Sequence, residues 1–147
     1  MTTTTPRLHH LALTVRDLDA SVEWYSRVFG LHQLMDVPHP GGLGRILVDA
    51  DQQLVFILHR HDANRGELFQ ETRTGLDHPG LVVATRDDLV AWQAHLEAYG
   101  VVRQPAADTP CTQSPIADEP YGSVLVFRDP DNIQLEFFWR APPEPAR

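Results

Sequence analysis

Two histidines and one glutamate stand at places where their chemistry can combine. The segment His10-Leu11-Ala12-Leu13-Thr14-Val15 aligns with His78-Pro79-Gly80-Leu81-Val82-Val83, and the same offset brings Leu13 onto Leu81, Val15 onto Val83 and Trp24 onto Trp92 without a gap. An internal repeat of this kind places equivalent residues at equivalent points of two similar modules. Glu136 lies in the run Ile133 to Trp139, where Ile133, Leu135 and Phe137 form one row and Gln134, Glu136 and Phe138 the other. A carboxylate in so apolar a strand costs several kcal/mol to bury unless it is paired, protonated or bound to a metal. Two imidazoles and one carboxylate form a recurrent set of ligands for divalent metals, and they leave coordination positions open for water or substrate. His10, His78 and Glu136 are therefore the candidate metal ligands. His9 is adjacent, but strand alternation turns it to the opposite face and only His10 aligns with His78.

Other polar groups are weaker candidates. His59, just past Leu58, could serve as a general base, and Arg45 could bind a substrate carboxylate. Tyr121, Phe56 and Leu58 complete the expected substrate-binding set. Cys111 sits among prolines and polar residues without a basic neighbour, which marks an unactivated thiol. Trp24 and Tyr25 read as core, and His95 as a surface residue of the helix that carries Trp92.

The elements that position these residues follow from periodicity. Each repeat opens with an alternating strand in which Leu11, Leu13 and Val15 face a helix and His10, Ala12 and Thr14 face away. Asp17 and Asp87 are the expected helix N-caps, since a carboxylate there accepts hydrogen bonds from unsatisfied amides. Leu18, Val22, Tyr25 and Phe29 form one apolar stripe and Leu89, Trp92, Leu96 and Tyr99 the other, while Gly30 and Gly100 end the helices. Strands are expected over 31–37, 43–50 and 53–59, and again over 122–127 and 132–139, with a weaker one between 101 and 116. The pattern is βαβββ twice: an α+β chain with module one over 8–62, a linker over 63–75 containing the turn Asn64-Arg65-Gly66, module two over 76–140, and a tail over 141–147 trailing into solvent. Pro79 constrains the strand after His78, because proline is confined to edges, first positions or bulges. Asn132 occupies a turn position that asparagine tolerates in left-handed geometry.

Composition excludes several function classes. The chain has 147 residues, 42% apolar and 22% charged, in keeping with one core. Its net charge of -8 and its scattered basic residues argue against nucleic acid as a partner. No run approaches the roughly 18 apolar residues of a membrane span, and the Thr-rich start lacks the features of a secretory signal, so a cytoplasmic location is expected. The single cysteine rules out an internal disulfide.

The stretch from His10 to Leu31, the Gly75-Leu76-Asp77-His78 opening of the second repeat, and Phe127-Arg128-Asp129-Pro130-Asp131-Asn132 leading into Leu135-Glu136 together resemble the vicinal oxygen chelate superfamily. That superfamily includes glyoxalase I, fosfomycin-modifying thiol transferases, methylmalonyl-CoA epimerase, extradiol dioxygenases and bleomycin-binding proteins. The resemblance implies paired βαβββ modules forming a cupped mixed sheet, the glyoxalase-like fold, with metal ligands at His10, His78 and Glu136. A fourth ligand, typically glutamate in glyoxalase I, would fall in the strand Leu54-Val55-Phe56-Ile57-Leu58, which has no carboxylate. The implied activity is that of a divalent-metal enzyme (Mn, Fe, Ni or Zn) acting on a small substrate with vicinal oxygens by lyase, isomerase or thiol-transferase chemistry, with Glu136 available as base. Two alternatives remain: an extradiol-type dioxygenase holding iron(II), and a metal-free drug- or metabolite-binding protein of the bleomycin resistance type. The resemblance also implies a homodimer, with the site formed within one chain or across two. Reaction transfers less well than fold within such a group.

Overall fold

A computed structural model describes residues 3–142. Residues 143–147 of the expected tail lie outside the described residues, as do the first two of the chain. By internal contacts the chain divides into two units, Met1–Gly66 and Glu67–Arg147. The α+β class holds, with one mixed sheet and one helix in each unit. No described helix is long and apolar enough to cross a membrane.

The first unit runs β1 (Leu11–Thr14), α1 (Leu18–Phe29), β2 (His32–His39), β3 (Gly42–Val48) and β4 (Val55–His61). Its sheet has the order β1-β4-β3-β2, with β1 parallel to β4 and the other pairs antiparallel. Alternation selects the core. Leu13, Leu47, Phe56 and Leu58 are buried on the helix side, where the Tyr25 and Phe56 rings meet at 5.1 Å. Asp17 caps α1 as expected, accepting from the Ala20 amide at 3.0 Å. Gly30 closes the helix in a left-handed conformation at φ 68°, which glycine adopts without a Cβ penalty. The buried stripe of α1 is Leu18, Ser21, Tyr25 and Val28, so the apolar arc is turned slightly from the expected one.

The second unit runs β5 (Gly80–Val82), α2 (Arg86–Ala98), β6 (Val102–Arg103), β7 (Thr112–Gln113), β8 (Ala117–Glu119), β9 (Gly122–Arg128) and β10 (Gln134–Arg140). Its sheet has the order β5-β10-β9-β7-β6, with β8 also paired to β9. One weak strand was expected between 101 and 116; three short ones occupy this stretch and the residues just after it. Pro105, Pro110, Pro115 and Pro120 punctuate it, and proline cannot donate to a ladder. The N-cap of α2 is Thr85 rather than Asp87: the Thr85 hydroxyl accepts from the Asp88 amide at 3.1 Å and the Asp88 carboxylate from the Thr85 amide at 2.8 Å. This reciprocal pair satisfies two amides where a lone aspartate satisfies one. Ile133, Leu135 and Phe137 are buried as the alternation requires, and Trp92 stacks on Phe137 at 4.4 Å.

Part of the stretch expected to link the modules is tied into the second unit. Glu71 forms an ion pair with Arg128 at 2.8 Å, and the Phe69 amide donates to the Asp131 carbonyl. The turn leading into β10 is built by Asp129, whose Oδ1 accepts from the amides of Asp131 at 2.8 Å and Ile133 at 2.7 Å. Asn132 takes φ 67° there, the left-handed geometry its side chain tolerates.

Candidate metal centre

In the second unit the site is built where β5 runs parallel to β10. Glu136 is the register partner of Gly80, and its amide donates to the Pro79 carbonyl at 3.1 Å. Pro79 thus contributes an acceptor from just before the strand, where its missing N–H costs the ladder nothing. His78 precedes it. Its Nδ1 lies 2.6 Å from Asp77 Oδ1, and its Nε2 lies 3.7 Å from Glu136 Oε2. With Nδ1 engaged by Asp77, Nε2 is the ring nitrogen left to face Glu136. The Glu136 side chain is 19% exposed, and opposite it Gly80 leaves open space: a Cβ there would approach no nearer than 3.8 Å to Glu136 Oε1. A ring nitrogen and a carboxylate oxygen facing each other beyond hydrogen-bond distance make a favourable arrangement once a cation lies between them.

In the first unit His10 is exposed and lies just before β1. Its Nδ1 is 2.9 Å from His9 Nδ1. The expectation that His9 points away fails because both residues precede the strand, where alternation has no hold. By the repeat, Ala12 corresponds to Gly80. The β4 partner of Ala12 is Ile57, so Ile57 occupies in the first unit the place of Glu136 in the second. The position of a fourth ligand is apolar.

The structure places three of the expected substrate-binding residues on the helix side of the first-unit sheet. Arg45 projects toward α1, where its guanidinium pairs with Asp19 and, at 3.3 Å, with Asp36. These carboxylates, Asp19 first, hold the guanidinium pKa above its ordinary value. Phe56 and Leu58 are fully buried on the same side, because residues one apart from Ile57 must face the opposite way. Tyr121 is 63% exposed and stacks at 6.3 Å on Phe138, which shares the Glu136 face. Burial pushes the Cys111 thiol pKa up, in accord with an inert cysteine. His95 is half-buried between the Trp92 and Tyr99 rings, at 5.0 and 4.6 Å.

His59 lies on the Ile57 face of β4, with Nδ1 3.3 Å from His39 Nε2. Burial first, then the charges of His39, His61 and His10, push its pKa below the ordinary histidine range, which keeps the ring neutral near pH 7. Sequence reasoning missed His39 and His61. Alternation alone would have put His61 beside His59, but His39 needed the register of the β2–β3 hairpin. The role of Asp77 was also missed, although a carboxylate directly before a candidate ligand is a visible signal.

The family model described as Glyoxalase/Bleomycin resistance protein/Dioxygenase superfamily matches residues 7–137. Among solved structures, a glyoxylase/bleomycin resistance protein/dioxygenase domain from Frankia sp. EAN1pec is 30% identical over 96% of both chains, with a TM-score of 0.81. A glyoxalase/bleomycin resistance protein/dioxygenase from Nocardioides is 19% identical over 99% of this chain and 91% of its own, with a TM-score of 0.66. A mutant form of the fosfomycin resistance protein FosX from Listeria monocytogenes, complexed with Mn(II) and 1S,2S-dihydroxypropylphosphonic acid, is 16% identical over 94% of this chain and 95% of its own, at a TM-score of 0.61. No curated protein matches.

Proposed function

Because this chain belongs to the Glyoxalase/Bleomycin resistance protein/Dioxygenase superfamily, we propose that it is a divalent-metal-dependent enzyme acting on a small substrate with two adjacent oxygen atoms. The observation that carries the reading is the 3.7 Å approach of His78 Nε2 and Glu136 Oε2, with Asp77 on the other ring nitrogen. The donor set fits a divalent cation: an imidazole whose far nitrogen is held by a carboxylate, and a half-buried carboxylate. The repeat assigns the third ligand to His10, from this chain or from a second copy in a homodimer. Manganese leads the list of metals because FosX, similar in fold, holds Mn(II) with a dihydroxy compound. When bound, the cation supplies Lewis acidity toward adjacent oxygens.

The residues of the chain divide the remaining work. Asp77 fixes the His78 ring, so that Nε2 rather than Nδ1 faces the site. Glu136 Oε1, turned toward the space above Gly80, is available to take up a proton from substrate carbon or water and return it. Phe138 and Tyr121 give the same face an aromatic wall that excludes water from one side of a small ligand.

The test is turnover. The chelator-stripped chain, with and without restored Mn(II), would be incubated with α-hydroxy ketones, hemithioacetals, epoxides with a thiol, and catechols, and products followed by mass spectrometry. Metal-dependent product from one class, lost in Glu136→Gln, supports the enzyme and names its chemistry; ring-cleaved catechol with iron(II) would select the dioxygenase alternative. Ligand retention without product in any metal state favours the binding-protein alternative, for which the stacking of exposed Tyr121 on Phe138 is the supporting feature.

A further inference from the structure

The geometry points to a second cation site, independent of His78 and Glu136, in which His39, His59 and His61 hold a zinc-class divalent ion on the face of the first-unit sheet turned away from α1. One ring nitrogen from each of these three residues lies within 4.8 Å of the other two. Backbone register brings them together: His39 pairs with Gly42, Gly42 with His61, and Gly44 with His59. The Pro40-Gly41 turn sets this register, and the Asp62 amide, donating to the Gly41 carbonyl at 2.8 Å, fastens the end of β4 to it.

Two features make the cluster more than a coincidence of surface histidines. The first is tautomer control. His39 Nδ1 lies 3.2 Å from its neighbour's carbonyl, Pro40 O, to which it can only donate. That leaves a lone pair on Nε2, which faces His59 Nδ1 at 3.3 Å. A carbonyl or carboxylate on the far nitrogen is the usual support of a metal-ligating histidine, and His78 has the same arrangement through Asp77. Two nitrogen ligands about 2.05 Å from a tetrahedral zinc are themselves separated by about 3.3 Å.

The second feature is space. β3 carries glycine where a side chain would strike the rings: a Cβ at Gly44 would lie 2.7 Å from His59 Cε1, and one at Gly42 2.5 Å from His39 Cε1. Gly44 does not have a positive φ, so room for the His59 ring, and not backbone conformation, is what favours glycine there. The ligand set is all imidazole, which favours Zn(II) and its late first-row neighbours over Mg(II) or Ca(II). Three protein ligands leave a fourth position open, and the exposure of His61 puts the cluster within reach of solvent.

The test uses the 147-residue chain carrying His78→Ala and Glu136→Gln, so that the first site makes no contribution. Zn(II) would be titrated into it and followed by calorimetry and by NMR of the imidazole nitrogens. The expected result is one strong equivalent per chain, with the nitrogens of His39, His59 and His61 shifting together. Adding His39→Ala and His59→Ala should weaken that binding by more than about 100-fold, since losing a ligand costs more than the 10- to 100-fold of losing a supporting hydrogen bond. Gly44→Ala, which keeps all three histidines but crowds one ring, should weaken it by about tenfold or more. If the histidine variants do not fold, the glycine variant decides alone. Binding that is absent, or that survives these changes undiminished, would overturn the inference.

Discussion

Asp77 Oδ1 and His78 Nδ1 lie 2.6 Å apart, and this contact between neighbours engages one of the two nitrogens of the His78 ring. A carboxylate on one nitrogen selects the tautomer, holds the ring plane and raises the basicity of the other nitrogen. That other nitrogen is the one turned toward Glu136.

Replacing Asp77 by asparagine should therefore lower affinity for Mn(II) or Zn(II) at the His78 site by about 10- to 100-fold, leaving the fold unchanged because both side chains are partly exposed. Competition against a chromophoric chelator reads the effect, in a chain whose His39 and His59 are replaced by alanine. Unaltered affinity would mean that Asp77 does not support the ligand.

The Glu71–Arg128 pair makes a prediction about acid stability. Arg128 is only 3% exposed; it donates to both Glu71 oxygens, to Gln134 and to the carbonyls of Ala107 and Asn132. The hydrogen bonds from Arg128 lower the Glu71 pKa from 4.5 to about 2. A depressed carboxylate pKa gives stability that is fully present above the unfolded value and is lost as pH falls through the folded one. Glu71→Gln should cost about 1–3 kcal/mol at pH 7, and the gap from wild type should narrow as pH drops from 4.5 toward 2. Urea midpoints across that range measure it; a gap that stays constant would show that the charge of Glu71 is not the source.

The cap of α2 gives a third. Thr85→Ala should destabilise the protein by about 1 kcal/mol, whereas Asp87→Ala, which removes no capping hydrogen bond, should stay within about 0.5 kcal/mol. Thermal denaturation distinguishes them, and equal losses would restore Asp87 as the functional cap.

What could be read from the sequence is what repeats or alternates within one element. The row of Ile133, Leu135 and Phe137 told Glu136 to face the other way, and the alignment of His10 with His78 marked both repeat openings. Arg45, Phe56 and Leu58 lie on the helix side for a reason the same rule contains: Phe56 and Leu58 differ in parity from His59 on β4, and Arg45 pairs with Leu58. Other features depend on contacts between elements. The partnership of His39 with His59 needs the hairpin register, and the splitting of the region after α2 into three short strands reflects prolines whose effect on pairing a local pattern does not locate. The cap was missed because Asp87 and Thr85 are both good N-cap residues, and only the reciprocal bond with Asp88 separates them.

The central claim, that His78 and Glu136 ligate a divalent metal, is tested most directly by elemental mass spectrometry of protein purified without added metal. A parent carrying His39→Ala and His59→Ala would be compared with the same chain carrying His78→Ala or Glu136→Gln in addition, with chain concentration determined independently. The account predicts near-stoichiometric metal in the parent and its loss in both variants. No metal in the parent, even after reloading with manganese, iron, nickel or zinc, or equal metal in all three, would contradict it.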